Sequence, residues 1–238
     1  MIPSSVREPP PPMNPPSLHV LYEDNHLLVL SKPAMLATMG TPGGQPTLLT
    51  HAKDYIKQRY QKPGNVYLGV MSRLDAPVTG VVLLARTSKA AARLTEQFRA
   101  HTVEKTYWAI VEGALEPPAA TLTNWLGQDE RHRRMHVVGP TIAGAKEARL
   151  AYQRLRLLDG YALVEVALET GRKHQIRLQL SHAGYPIVGD RKYGSRAAFP
   201  VGIALHARRL VVSHPTTGDR LEFTAPPPKS WQRFGVRE

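Results

Sequence analysis

Apolar positions along the chain fall into short runs with two different periods. His19–Tyr22 and Leu27–Ser31 are brief apolar and β-branched stretches around Glu23-Asp24-Asn25, which predicts two strands joined by a turn. From Thr47 to Tyr60 the spacing changes. Leu48, Leu49, Ala52, Tyr55 and Ile56 recur every three to four residues and share one helical face, which Pro63-Gly64-Asn65 brings to an end. Val66–Met71 and Gly80–Ala85 read as buried strands on either side of a loop, Ser72–Thr79. Ser88–Ala100 predicts a second helix, capped by Ser88 and turning Ala92, Leu94 and Phe98 inward.

Further strands are expected at Thr106–Glu112, Ala148–Leu157 and Ala162–Leu168. A short helix runs from about His174 to Gly184, where glycine supplies a C-terminal stop. The last strands are Leu205–Ser213 and Arg220–Thr224, joined by Pro215-Thr216-Thr217-Gly218. Many strands at uneven spacing with few helices indicate an α+β fold rather than regular β-α alternation. Residues 1–16 are dense in proline and predict an extended tail, leaving 17–238 as one domain with no internal repeat.

Composition narrows the function. With 42% hydrophobic residues the chain builds a sizeable core, but 31 Lys plus Arg against 19 Asp plus Glu leave a net charge of +12. Clustered cations gain affinity for phosphates by releasing counterions, so a polyanion partner is one reading. Solubility alone is the other. Cysteine is absent, which excludes disulfides and thiolate chemistry. The first residues lack an apolar signal core. The longest apolar run, Val78–Ala85, is broken by Thr79 and Gly80 and is too short to span a bilayer. A cytoplasmic protein with no membrane association is expected.

Several kinds of site are ruled out by pattern. No His-Glu-x-x-His occurs and the histidines lack ligand spacing, so no metal is expected. Gly40-Thr41-Pro42-Gly43-Gly44 has no Lys-Ser/Thr after it, and no Gly-x-Ser-x-Gly elbow exists. For His174 and His206, structural hydrogen bonding is the default. What remains is Asp75, a carboxylate in a loop between two apolar runs, fixed by Pro77 and Gly80. Taken alone it reads as a turn aspartate bonded to nearby N–H groups. Gly171-Arg172-Lys173-His174-Gln175-Ile176-Arg177 is harder to explain locally, because cations are misplaced at a helix N-terminus. A basic surface patch would account for it, and a site holding a carboxylate and a phosphate backbone accounts for it better.

These segments resemble the RluA-type pseudouridine synthases, over about Leu18–Pro228. The resemblance runs through Val20–Asn25 with Leu28–Pro33, Ser72-Arg73-Leu74-Asp75 with Thr79–Ala85, and Lys105-Thr106-Tyr107. It continues through Gly171–Arg177, Tyr185–Asp190 with Tyr193-Gly194, and Leu205-His206-Ala207. Each is weak alone, but six in the family's order are specific. The chain departs from the family at Ser72, where His is usual, and at Ala76–Thr79, where Arg-Asp/Glu-Thr-Ser is usual. The start is short and proline-rich, so the small S4 RNA-binding domain of many relatives is not expected here.

The resemblance implies a mixed, mainly antiparallel sheet flanked by short helices, and a cofactor-free enzyme that isomerises uridine in ribosomal or transfer RNA. It implies Asp75 as nucleophile or base, Tyr107 against a flipped uracil, and Arg177 as the partner of Asp75. Arg73 fills the gap the base leaves, Leu205 lines the pocket, and Lys32, Arg172, His174 and Gln175 contact RNA or support the site. Arg131-His132-Arg133-Arg134 reads as a solvated basic loop or as a phosphate contact. The enzyme is expected to be a monomer. Two alternatives use the same features: a catalytically silent RNA-binding or ribosome-assembly protein, and a hydrolase of small nucleosides. The first need not keep Asp75, Tyr107 and Arg177 together, and the second needs no excess of +12.

Overall fold

The computed structural model describes residues 18–129 and 134–237. The proline-rich segment and Arg131, His132 and Arg133 lie outside the described residues. The strands are β1 (His19–Glu23), β2 (Leu27–Lys32), β3 (Gly69–Val70), β4 (Thr79–Ala85), β5 (Glu104–Glu112) and β6 (Ala119–Asp129). They continue as β7 (Arg134–Val138), β8 (Lys146–Leu158), β9 (Tyr161–Leu168), β10 (Leu205–Ser213) and β11 (Arg220–Thr224). Among the described residues three α-helices accompany them: α1 (Leu48–Arg59), α2 (Ser88–Arg99) and α3 (Gln175–His182).

All the described strands join one sheet in the order β1-β2-β4-β10-β5-β9-β8-β6-β7, with β3 beside β4 and β11 beside β10. Neighbours pair antiparallel except β4 with β10, which run parallel. The fold is α+β on a mixed, mainly antiparallel sheet.

Side chains alternate across a strand, and β2 and β4 use both faces. Leu28, Leu30, Val82 and Leu84 pack with Leu48, Ala52 and Ile56 of α1 in the larger core. Leu27, Val29, Val81 and Leu83 face the other way, onto Ala90 and Leu94 of α2. Burial on both faces is why these strands are continuous apolar runs.

Several local expectations are corrected. The cap of α2 is Thr87, whose side chain accepts from the Ala90 N–H, and Ala90 rather than the exposed Ala92 faces the core. The strand expected at Val66–Met71 shrinks to Gly69-Val70, paired with the last residues of β4. That is the edge left free once β10, paired with Thr79 and Gly80, has diverged. Strands β6 and β7 were not expected. Most of β6 alternates between exposed and half-buried, so it lacks an apolar signature, and pairing with β8 and β7 holds it in place.

The parallel contact of β4 with β10 sets the site. Gly80 has φ +114, and a Cβ there would lie 2.3 Å from the Ala207 carbonyl oxygen. Only glycine lets the strands approach so closely, and the loop carrying Asp75 feeds directly into this crossing.

Candidate active site

The loop before β4 is clamped along its length. The Thr38 hydroxyl donates to the Leu74 carbonyl at 2.8 Å and accepts from the Leu74 N–H at 3.1 Å. The Ser72 hydroxyl accepts from the Leu83 N–H of β4. Lys32, fully buried, donates from Nζ to the carbonyls of Pro33, Leu36 and Ala76 at 2.8, 2.7 and 3.0 Å. Burial pushes the Lys32 ammonium down to about 7, against the attraction of Asp75. On the far side the Pro77 carbonyl accepts from the Ile203 N–H, and Gly202 (φ +76) lies so close that a Cβ would sit 2.3 Å from that oxygen.

Asp75 thus leaves a rigid turn, closed by the Val78 N–H donating to the Asp75 carbonyl, with its carboxylate partly exposed. Arg177 Nη1 donates to Asp75 Oδ2 at 2.7 Å. The other edge of the same guanidinium donates from Nε and Nη2 to Oδ2 and Oδ1 of Asp190 at 2.6 and 2.9 Å. The side chains of Arg177 and Asp190 are 7% and 1% exposed, so this fork is shielded from water. Burial alone would lower the Arg177 pKa, but the two carboxylates outweigh it and raise it.

α3 is buried nearly all round, and so carries Arg177 inward. It starts after His174 in the left-handed region (φ 55), with no side-chain cap. Gln175 fastens the start: its Oε1 accepts from the Thr170 hydroxyl and the Arg172 N–H, and its Nε2 donates to the Arg149 carbonyl. Its amide is therefore engaged within the protein. The His174 ring lies with Nδ1 2.7 Å from the Tyr193 hydroxyl and Nε2 3.6 Å from Asp75 Oδ2. Burial pushes this imidazole down to about 4, with Asp75 pulling the other way. A neutral ring that accepts at Nδ1 turns its remaining N–H toward Asp75.

A cavity of about 570 Å³ opens over this carboxylate. Its lining brings together Asp75, Tyr107, Arg177, Arg73, Arg172, His174, Gln175 and Leu205, drawn from four separate stretches of chain. Tyr107 reaches it from β5, and burial with the nearby Asp75 charge keeps its phenol protonated. Arg73 is exposed at the rim and Leu205 is buried at the start of β10. Lys32 alone of the expected residues does not line the cavity. Buried on three carbonyls, it supports the loop from behind rather than facing a ligand.

A carboxylate held by an arginine, in a cavity that an aromatic ring and several cations also line, suits chemistry on a nucleotide. The sequence profile described as RNA pseudouridylate synthase matches residues 26–182. The chain belongs to this family. Ribosomal large subunit pseudouridine synthase D of Pseudomonas aeruginosa is 34% identical over 229 residues, which cover 90% of this chain and 69% of that one. An uncharacterised RNA pseudouridine synthase of Bacillus subtilis, YhcT, is 35% identical over 89% of this chain and 69% of its own. Human RNA pseudouridylate synthase domain containing 4 superposes with a TM-score of 0.76 at 26% identity, covering 92% of this chain and 94% of that one. The protein is therefore an RNA uridine isomerase. Among the described residues no helix is long and apolar enough to cross a membrane.

Sequence reasoning passed over two polar groups of this synthase. Asp190 was visible only as part of a matching segment, and no local pattern ties it to Arg177. Lys105, two residues before Tyr107, also lines the cavity. The apolar wall of Met39, Met71, Phe98 and Leu168 completes the pocket.

Proposed function

We propose that this pseudouridine synthase acts on ribosomal RNA and starts the isomerisation with the carboxylate of Asp75. The observation that carries the reading is the Asp75–Arg177 contact in the lining of a cavity that Tyr107 also lines. In the reaction the N1–C1′ bond of uridine breaks, the base rotates, and a C5–C1′ bond forms. C5 gives up its hydrogen as a proton and N1 gains one, so no oxidant, metal or activated donor enters the balance.

The glycosidic bond is out of reach inside a stacked helix, so the target nucleotide is flipped into the cavity. Tyr107 supplies a face for the uracil, Leu205 packs beside it, and Arg73 at the rim fills the space the base vacates. Arg177 aims the Asp75 carboxylate, and His174 adds a neutral ring near the same oxygen, Oδ2. The relatives named for the ribosomal large subunit, at 34% and 33% identity, support ribosomal over transfer RNA. In this reading the enzyme works as a monomer in the cytoplasm, alongside its substrate.

Mapping pseudouridine across total RNA, with and without the gene, tests the proposal. Loss of signal at one or a few ribosomal uridines is expected. A loss confined to transfer RNA overturns the choice of substrate, and an unchanged map overturns the reading as a whole.

A further inference from the structure

Strand β5 carries two cavity-lining side chains at alternate positions. Lys105 and Tyr107 share one face, with their backbone positions about 7 Å apart at the usual rise of a strand. That interval is comparable to the reach from a nucleobase to the phosphate of its own nucleotide.

The surroundings of Lys105 differ from those of a structural lysine. Lys32 shows what a structural one looks like here, with three carbonyls at 2.7 to 3.0 Å around its ammonium. Lys105 is half-buried, yet its Nζ has a single weak contact among the described residues, 3.5 Å from the Glu169 carbonyl oxygen. The Glu169 carboxylate is turned away, 3.1 Å from Arg149 Nε. Burial and repulsion from Arg172 both push the Lys105 pKa down. Arg172 lines the same cavity, anchored through Nε to the Glu147 carbonyl at 2.9 Å. Two cations thus line one cavity close enough to repel each other, and among the described residues the contacts of Lys105 Nζ and Arg172 Nε are backbone carbonyls rather than carboxylates. An anion there would relieve both the burial cost and the repulsion.

We propose that Lys105, seconded by Arg172, binds a phosphate of the target nucleotide while Tyr107 faces its base. The proposal rests on the cavity being the uridine site. It makes β5 a ruler, with one side chain for the base and one for the backbone.

The test measures kcat and KM on a pool of unmodified ribosomal and transfer RNA transcripts across a range of salt. Wild type is compared with Lys105→Met, which keeps the length and apolar stem, and with Lys105→Arg, which keeps the charge. Asp75→Asn is run in parallel. Lys105→Met should lose about tenfold or more in kcat/KM, the range for a charge-assisted hydrogen bond, mostly through KM. The slope of log kcat/KM against log salt should become shallower by about 0.7, the value for one phosphate contact on a single strand. Lys105→Arg should restore that slope. An unchanged slope in Lys105→Met, or Lys105→Arg behaving like Lys105→Met, overturns the proposal. Thermal melting checks the fold, and if Lys105→Met fails to fold, Lys105→Gln takes its place under the same criteria. Turnover by Asp75→Asn would instead sink the uridine-site reading, whatever Lys105 does. Absence of wild-type turnover on the pool counts against both.

Discussion

Arg177 gives the forked edge of its guanidinium to Asp190 and only its remaining nitrogen to Asp75. The two bonds to Asp190 are 2.6 and 2.9 Å, against a single bond of 2.7 Å to Asp75. Two parallel charge-assisted bonds fix a guanidinium in plane and direction. Asp190 is therefore the anchor, and Asp75 is what the anchored arginine points at. The resemblance implied Arg177 as the partner of Asp75 and said nothing of Asp190 as its anchor.

Asp190 should accordingly matter to turnover although it does not line the cavity. Asp190→Asn keeps the shape but turns an amide N–H against the guanidinium, which loosens Arg177 and the aim of Asp75. A fall in kcat of roughly tenfold or more is expected, since small misplacements at a reacting centre are costly, with KM little changed. Steady-state kinetics decide it. A change confined to melting temperature would reduce Asp190 to a purely structural residue.

The energetic coupling should also lie with Asp190. Arg177→Ala leaves Asp190 as a buried, unpartnered carboxylate, at a cost of roughly 3–5 kcal/mol. Adding Asp190→Asn to that variant should recover part of the loss, because the orphaned charge is gone. Adding Asp75→Asn should recover less, because that carboxylate is 29% exposed and already reaches water. Denaturant unfolding of the single and double variants measures both couplings. Equal recovery from the two would contradict the division of roles.

Gly202 should be required for the placement of the Asp75 loop. A Cβ there would meet the Pro77 carbonyl oxygen at 2.3 Å and Ala34 Cβ at 3.0 Å. Gly218 has a similar positive φ of +82 but open space around it. Both alanine variants carry backbone strain of about 1–3 kcal/mol, but only Gly202→Ala also displaces the loop. Its kcat should fall while Gly218→Ala keeps wild-type activity, as parallel turnover assays would show.

Legibility from sequence followed burial. β2 and β4 stood out because core covers both their faces, and α1 because Leu48, Ala52 and Ile56 repeat at helical spacing. β6 did not, since Thr121 and Thr123 are exposed and Leu122 and Asn124 only half-buried. Of the site, Asp75, Tyr107 and Arg177 were legible through the resemblance, and the fold brings them to one cavity. Asp190 was not, because an aspartate after Val188-Gly189 has an ordinary local use in a turn, and its bond to Arg177 exists only once α3 is folded. The resemblance left Lys32 and Gln175 either to contact RNA or to support the site. Both are consumed by internal carbonyls and hydroxyls, which no spacing rule reveals.

Stability should fall with acid well before the carboxylates titrate. His206 is buried, with Nε2 3.0 Å from the Ala225 carbonyl oxygen and Nδ1 2.8 Å from the Thr79 hydroxyl, an arrangement for a neutral ring. Burial pushes its pKa from 6.5 down to about 4. The unfolded chain then binds the proton more tightly than the folded one. The contribution is complete above pH 6.5 and is lost as pH falls toward 4, up to about 3 kcal/mol at 1.36 kcal/mol per pH unit. His174 acts in the same direction. Denaturant unfolding between pH 7 and 4.5 should show the decline, and His206→Gln should flatten part of it. A flat profile across that range would show that these rings are not held neutral.

The most direct test of the central claim is the turnover of Asp75→Asn. The substitution keeps the size and shape of the side chain, and its amide oxygen can still accept from Arg177 Nη1. Folding and RNA affinity should survive, by melting temperature and by direct binding. Conversion of uridine to pseudouridine in the RNA transcripts should be abolished, read as the isomer fraction after digestion. Pseudouridine forming at a rate near wild type would contradict the assignment of Asp75 as the carboxylate that starts the reaction.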